Sequence, residues 1–454
     1  MDRTIVTSAT CTSCGCLCDD IDLHTEDGRI VRAERACRLG REWFFGHHGG
    51  SQATALVGGE PATMDEAIER AAGILANANR PLIYGLGNST CESQRTAILL
   101  AEDIGGVIDT HTSMTHGASK LAAQLVGKVT CTLGEVRNRA DLLIYWGTNP
   151  VETHPRHFTR YAYTPRGKFV PGGRYDRTMI LVDIRDTLST RAADQFLRIE
   201  PGTDFELLTV LRAIVRDQKV DPNLLAATGL TLDRATDLVA RMKRARLGVF
   251  FFGTGLSRTR GRHMNVAALH SLTMALNDFT KFAAIPMRDL GNDVGADNVM
   301  SWLTGYPVGV DFSRGYPRSN PGEFTAVDLL ARREADAALI VAADPWSTMP
   351  GAAVEHLDTI PHVVIDRAGA SRRAKARVQF VTASPGINTP GTAYRMDWVP
   401  VSMRAALPSP GPSDEEVLGR IRHALAAARA FVERSASQTR ISPFPTTEVS
   451  PRKR

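Results

Sequence analysis

Five of the seven cysteines fall at the start of the chain: Cys11, Cys14, Cys16, Cys18 and Cys37. Four of them spell C-x2-C-x3-C-x18-C, using Cys11, Cys14, Cys18 and Cys37. Three thiolates this close in sequence can surround one face of a metal ion or cluster, and a distant fourth closes it from another loop. Zinc ribbons usually repeat the C-x2-C pair in their second half, whereas here only Cys37 follows. Soft sulfur suits zinc and iron–sulfur alike, so the spacing leaves open an iron–sulfur cluster, zinc or a vestigial site. Cys16 is an extra thiol, expected to point away from the other four. Cys91 and Cys131 read as buried small hydrophobes. A disulfide framework suits small secreted domains; a large chain without an export signal is expected in a reducing cytoplasm.

Other polar residues have plainer readings. His154 and His157 lie in a proline-containing loop, so a zinc pair is disfavoured and both are expected to line a crevice or meet a ligand. His47 and His48 read as a solvated turn. The basic run RRAKAR, residues 372–377, reads as a solvated face that could attract an acidic ligand.

The elements that must position these residues follow from apolar periodicity. Short apolar runs recur within 81–90, 141–150, 178–187, 247–257, 336–345 and 362–368, each ending in a Gly, Asn, Asp or Pro turn. Such runs suit parallel strands buried on both faces. Helical patterns lie between them, at 64–78, 92–105, 205–217 and 266–278. Strand alternating with helix predicts an α/β protein with a mostly parallel sheet. The six runs fall into two similar sets, which suggests a duplicated nucleotide-binding-like module divided near residues 220–245. Any doubly wound protein gives a similar pattern. Neither Gly-rich turn, GLGNS or GTGLS, completes G-x-G-x-x-G, so a nicotinamide cofactor is not indicated.

With 454 residues, 43% hydrophobic and 23% charged, the chain has the composition of a folded protein of several cores. The net charge of +5 includes a local excess in the last twenty residues, which leaves no electrostatic footprint for nucleic acid. No apolar run is long enough for a transmembrane helix. The expected division is a cysteine-bearing unit (1–50), two α/β modules (51–220 and 221–405), a C-terminal helix (406–434) and a disordered tail (435–454). The helix should start at Ser413, with Glu416 completing a capping box.

CTSCGCLCDDI followed by ACRLG resembles the start of the B-type subunit of formylmethanofuran dehydrogenase, a relative of the molybdopterin oxidoreductases. The likeness continues through THGAS (115–119), YWGTNPVETHPRHFTRY (145–161), PMRDLGNDVGADNV (286–299), the stretch 304–345 and NTPGTAYRMDWVPV (388–401). It implies two Rossmann-like modules, each facing one pterin guanine dinucleotide, around a tungsten or molybdenum ion with a [4Fe–4S] cluster beside it. Cys11, Cys14, Cys18 and Cys37 match the cluster ligands. Gly147, Asn149 and Pro150, with the turn at Asp183 and Arg185, match loops lining the dinucleotide crevice. His116 and Arg288 match the histidine and arginine beside the metal.

One position departs from the family. Its motif has a metal-ligating cysteine before the histidine, and here that position is Thr115. A neutral hydroxyl is a harder, weaker ligand than a thiolate. The departure fits the bacterial branch of the family, the formyltransferase/hydrolase complex of one-carbon metabolism and formaldehyde oxidation. There formyl groups pass from tetrahydromethanopterin to a methanofuran-type carrier and leave as formate from another subunit. The resemblance thus implies a redox-inactive scaffold subunit, with His116 and Arg288 vestigial and the metal-pterin absent, among other complex subunits and near the carrier. The alternative is an active tungsten or molybdenum dehydrogenase subunit with the cluster loaded and oxygen replacing sulfur.

Overall fold

The computed structural model describes residues 3–46, 53–367, 375–409 and 411–439. A small antiparallel sheet opens the chain, formed by Arg3–Ala9, Ile21–Glu26 and Arg29–Glu34, followed by the helix Arg38–Phe45. The cysteine loop fills the gap between its first two strands.

Two larger sheets carry the rest. A five-stranded, all-parallel sheet runs in the order Gln195–Arg198, Thr178–Asp183, Leu142–Trp146, Leu247–Phe252 and Lys281–Pro286. A nine-stranded sheet has a parallel centre of Val107–Thr110, Pro81–Gly85, Ala337–Val341, His362–Arg367 and Val378–Thr382, with short antiparallel strands at both edges. Strands Pro81–Gly85, Leu142–Trp146, Leu247–Phe252 and Ala337–Val341 are buried at every residue, as runs without alternation require when helices cover both faces. This is the expected α/β architecture of two doubly wound modules behind a cysteine-bearing unit.

The expected boundary at residue 220 is not where the modules divide. The chain leaves the nine-stranded sheet after Val107–Thr110, builds the whole five-stranded sheet and then returns to pair Ala337–Val341 with Pro81–Gly85. The second module is inserted into the first, so each half of the sequence holds strands of both. The similar runs in each half are therefore not one module repeated in tandem.

The C-terminal helix spans Asp414–Thr439, five residues beyond the expected end. Its capping box is formed: Glu416 N–H donates to Ser413 Oγ at 3.2 Å, and Ser413 N–H donates to Glu416 Oε2 at 2.7 Å. Val417, Leu418, Ile421 and Leu425 bury its inner face against the helices of the nine-stranded module. The remainder of the tail, His47 and His48, and the start of the 372–377 run lie outside the described residues. Lys375 of that run is exposed and pairs with Asp358 at 2.7 Å. No helix among the described residues is long and apolar enough to cross a membrane.

Candidate functional site

The cysteine loop forms a nest of thiols. Cys11, Cys14, Cys16, Cys18 and Cys37 all line one small, nearly filled cavity, together with Gly40 and Arg156. The turn is closed by Cys11 N–H donating to Cys18 O (2.9 Å) and Leu17 N–H to Cys14 O (3.1 Å). Cys37 caps the helix Arg38–Phe45, its sulfur accepting from Gly40 N–H at 3.4 Å. Burial pushes the thiol pKa of Cys11 and Cys18 up, the latter to about 11, so any metal must displace their protons.

The distant cysteine joins the others. A Cβ added at Gly40 would lie 3.2 Å from Cys11 Sγ and 3.8 Å from Cys37 Sγ, so both sulfurs flank that point. Among the described residues, however, no three His, Cys, Asp or Glu side chains close tightly enough to hold a single metal ion. Cys16 does not point away as expected. It lines the same cavity and shares a hydrogen bond with Cys14 that holds the Cys14 thiol low and its own high. Cys91 and Cys131 are half-buried against the cores rather than fully buried.

Gly40 gives a direct handle on this cavity. Alanine at an exposed helical site would gain about 1 kcal/mol of helix stability. Here its methyl would press on Cys11 Sγ and fill the space beside Cys37 Sγ. Gly40→Ala is expected to keep the fold, measured by urea unfolding, while iron uptake on anaerobic reconstitution falls severalfold.

A second cavity opens between the two modules. It is lined by Thr115, Lys120, Arg258, Arg262, His263 and Tyr306, among others. Asp109, at the carboxyl end of Val107–Thr110, fixes one wall by accepting from Gly309 N–H (2.9 Å) and Ala326 N–H (2.7 Å). Thr115 is the member of the inferred metal-side group that lines this crevice. Its hydroxyl donates to His111 O at 3.3 Å, one helical turn back.

His116 and Arg288 come close to Thr115 but stand in the wall, not in the opening. His116 is fully buried, with Nδ1 on Ser119 Oγ (3.2 Å) and Nε2 on Met287 O (3.1 Å), and burial pulls its pKa down to about 3. Arg288 donates to Thr112 Oγ1 and, at 2.8 Å, to Asp297 Oδ2, which Lys120 also approaches at 2.6 Å. Both His116 ring nitrogens are satisfied within the protein, while Arg288 Nε is buried without a hydrogen-bond partner among the described residues.

The inferred dinucleotide loops gather at the carboxyl ends of the adjacent strands Leu142–Trp146 and Thr178–Asp183. Gly147 has φ +57°, and a Cβ there would come within 2.8 Å of the Gly255 backbone, so two loops meet at a contact only glycine allows. Asn149 Oδ1 accepts from Ser189 Oγ at 2.6 Å, just before Pro150 starts a short helical turn. Asp183 and Arg185 follow the next strand. This edge is separate from the lining of the Thr115 crevice.

The two histidines of the proline loop are buried too, and neither lines the crevice. His154 Nε2 donates to Arg288 O at 2.7 Å, and Gly15 N–H donates to the same oxygen at 3.2 Å, which ties the cysteine loop to the crevice wall. His157 is enclosed by Tyr145, Phe158 and Phe251, and burial pulls its pKa down to about 3.

Both His116 and His157 are thus held neutral, with folded-state pKa values below the unfolded value of about 6.5. The unfolded chain then binds more protons in acid, so stability is full above that value and falls as the pH drops towards 3. Each should cost about 2 kcal/mol between pH 7 and pH 5. His157→Phe is expected to flatten its share of that slope in urea titrations at the two pH values.

Sequence reasoning passed over several of these residues. Arg156 forms a bidentate pair with Asp20 (2.6 and 2.7 Å) at the edge of the thiol nest, and Arg160 pairs with Asp19 and Asp20. Their four-residue spacing in HPRHFTRY was the available signal. Lys120 and Asp297 left none, because their partners are remote in sequence.

No protein-family model matches the chain. It is 42% identical over 413 residues to the B-type subunit of tungsten-containing formylmethanofuran dehydrogenase 2 of Methanocaldococcus jannaschii, covering 89% of this chain and 94% of that one. It is 26% identical over 295 residues to the B-type subunit of the formyltransferase/hydrolase complex Fhc of Methylorubrum extorquens, covering 64% and 75%. Among solved structures it resembles the formyltransferase/hydrolase complex FhcABCD of Methylorubrum extorquens with methylofuran, at TM-score 0.68 and 25% identity over 83% of this chain and 99% of that chain. Acetylene hydratase from Pelobacter acetylenicus shares the fold at TM-score 0.67 and 12% identity, covering 94% and 70%. These likenesses place the two modules in the molybdopterin oxidoreductase-like fold, and the chain belongs to the family of formylmethanofuran dehydrogenase B-type subunits.

Proposed function

We propose that this chain serves as a redox-inactive scaffold subunit in a one-carbon complex of the formyltransferase/hydrolase kind. Such a complex passes formyl groups from tetrahydromethanopterin to a methanofuran-type carrier and releases them as formate at another subunit. The observation that carries the reading is Thr115. At the position of the family's metal-ligating thiol stands an alcohol that is already hydrogen-bonded to His111 O. Both ring nitrogens of His116 beside it are taken up by Ser119 and Met287. These residues do not fit a thiolate-ligated metal.

The thiol nest does fit a cluster. Cys11, Cys14, Cys18 and Cys37 would hold a [4Fe–4S] group, which supplies one-electron transfer when bound. Four thiols gathered around one cavity are the donor set that supports this reading. The same nest, with 42% identity to a tungsten-containing relative, favours a second reading as an active dehydrogenase subunit.

Metal analysis of the anaerobically isolated native complex separates the two. Tungsten and molybdenum at background, with no dye reduction by a formyl donor, is the expected result. Stoichiometric tungsten or molybdenum with dye reduction would promote the second reading.

A further inference from the structure

Beside the cysteine unit, a groove runs between the helix Leu133–Arg139 and the loop that follows residue 163. It is open to solvent and is lined by Arg137, Arg160, Tyr161, Arg166, Lys168 and Arg395, with no acidic side chain in its wall. Two of these cations are committed elsewhere: Arg160 to Asp19 and Asp20, and Arg395 to Asp397. Arg137, Arg166 and Lys168 have no carboxylate within ion-pair distance among the described residues, and all three are exposed.

The groove is built rather than incidental. Arg177, only 5% exposed, donates to Ala140 O (3.0 Å), Tyr163 O (3.2 Å), Arg137 O (2.6 Å) and Pro165 O, stapling the loop to the end of the helix. Phe169 N–H donates to Asn138 O at 2.9 Å, and a Cβ added at Gly167 would collide with Arg137 O, so the loop sits directly on the helix backbone. Phe169 is left 42% exposed, with the Arg139 guanidinium 4.4 Å and the Lys168 ammonium 5.5 Å from its ring centre.

A helix C-terminus favours cations, which accounts for Arg137 and Arg139. It does not account for Arg166 and Lys168, which a separately stapled loop adds to the same groove. Holding like charges together without counter-charges is unfavourable unless a partner supplies them. The open, extended shape suits a length of polypeptide more than an enclosed small molecule.

We propose that this groove docks an acidic segment of another subunit of the complex, its carboxylates meeting Arg137, Arg166 and Lys168 and an apolar residue covering Phe169. This rests on the complex-subunit reading above. It adds the surface and the chemistry of the partner. Tyr161, which lines the groove, also donates to Cys16 O at 3.2 Å, so the docked segment would lie one side chain from the thiol nest.

The test uses the co-expressed complex. The charge-reversed variant R137E/R166E/K168E is compared with R70E/R95E/R234E, which makes the same charge change at exposed arginines elsewhere. The groove variant is expected to lose one partner subunit, with retention about tenfold to a hundredfold weaker, while the control keeps it. A carbodiimide should cross-link Lys168 to an Asp or Glu of that subunit in the wild-type complex, and the link should fade as salt shortens the screening length to a few ångströms. Equal retention by both variants, with Lys168 unlinked, overturns the proposal. Tight tripolyphosphate binding at the groove with assembly unaffected overturns it as well, in favour of a small anion. If the wild-type chain is isolated without any partner subunit, it is the complex-subunit reading that fails.

Discussion

Asp297→Asn is expected to destabilise the fold by about 3–5 kcal/mol, because it leaves the buried Arg288 and the partly buried Lys120 without their nearest counter-charge. Asp297 is 1% exposed, and its Oδ2 takes both Arg288 Nη2 (2.8 Å) and Lys120 Nζ (2.6 Å). The cost should depend on pH with a definite sign. Burial already lowers the Lys120 pKa, and loss of the carboxylate should lower it further. The unfolded lysine then binds its proton more readily than the folded one, so the variant should recover stability as pH rises from neutrality towards 10. Removing the amine as well, in Asp297→Asn/Lys120→Met, should restore part of the loss at neutral pH. Urea unfolding at several pH values checks both. A loss below about 1 kcal/mol, flat with pH, would show that water already compensates these charges.

Cys11→Ser, Cys14→Ser, Cys18→Ser and Cys37→Ser are each expected to reduce iron in anaerobically reconstituted protein to a small fraction of wild type. Cys16→Ser should retain it. The reasoning is geometric: all five sulfurs share the cavity, but Cys16 is bonded to a neighbouring thiol and so can donate to a ligand sulfur instead of ligating. Hydrogen bonds to cluster sulfurs shift reduction potential rather than occupancy. Iron lost from Cys16→Ser and retained in Cys14→Ser would exchange their roles. Wild-type protein that takes up zinc but no iron would leave only a structural metal site.

The strands that build the two modules were legible because their signal is local. LLIYW and GVFFF are apolar without alternation, and in water such runs are stable only when covered on both faces. KFAAIP and VQFVT carry a weaker signal, being short and begun by or interrupted with polar residues, yet they form Lys281–Pro286 and Val378–Thr382. The capping box at Ser413 was readable for the same reason as the strong strands, since both of its bonds lie within one helical turn.

The amino-acid sequence by itself therefore determined the strand–helix alternation, the cysteine spacing and the one substitution, Thr115, on which the functional reading turns. Only the tertiary structure decided that the modules are nested rather than consecutive, because a parallel strand's neighbour is set by the whole sheet, as Pro81–Gly85 shows in pairing with Ala337–Val341. It decided, too, that His116 and Arg288 lie behind the crevice and that Cys16 joins the other thiols. The direction a side chain takes depends on which remote backbone or carboxylate satisfies it, Met287 O for His116 and Asp297 for Arg288, and no local pattern encodes such a partner.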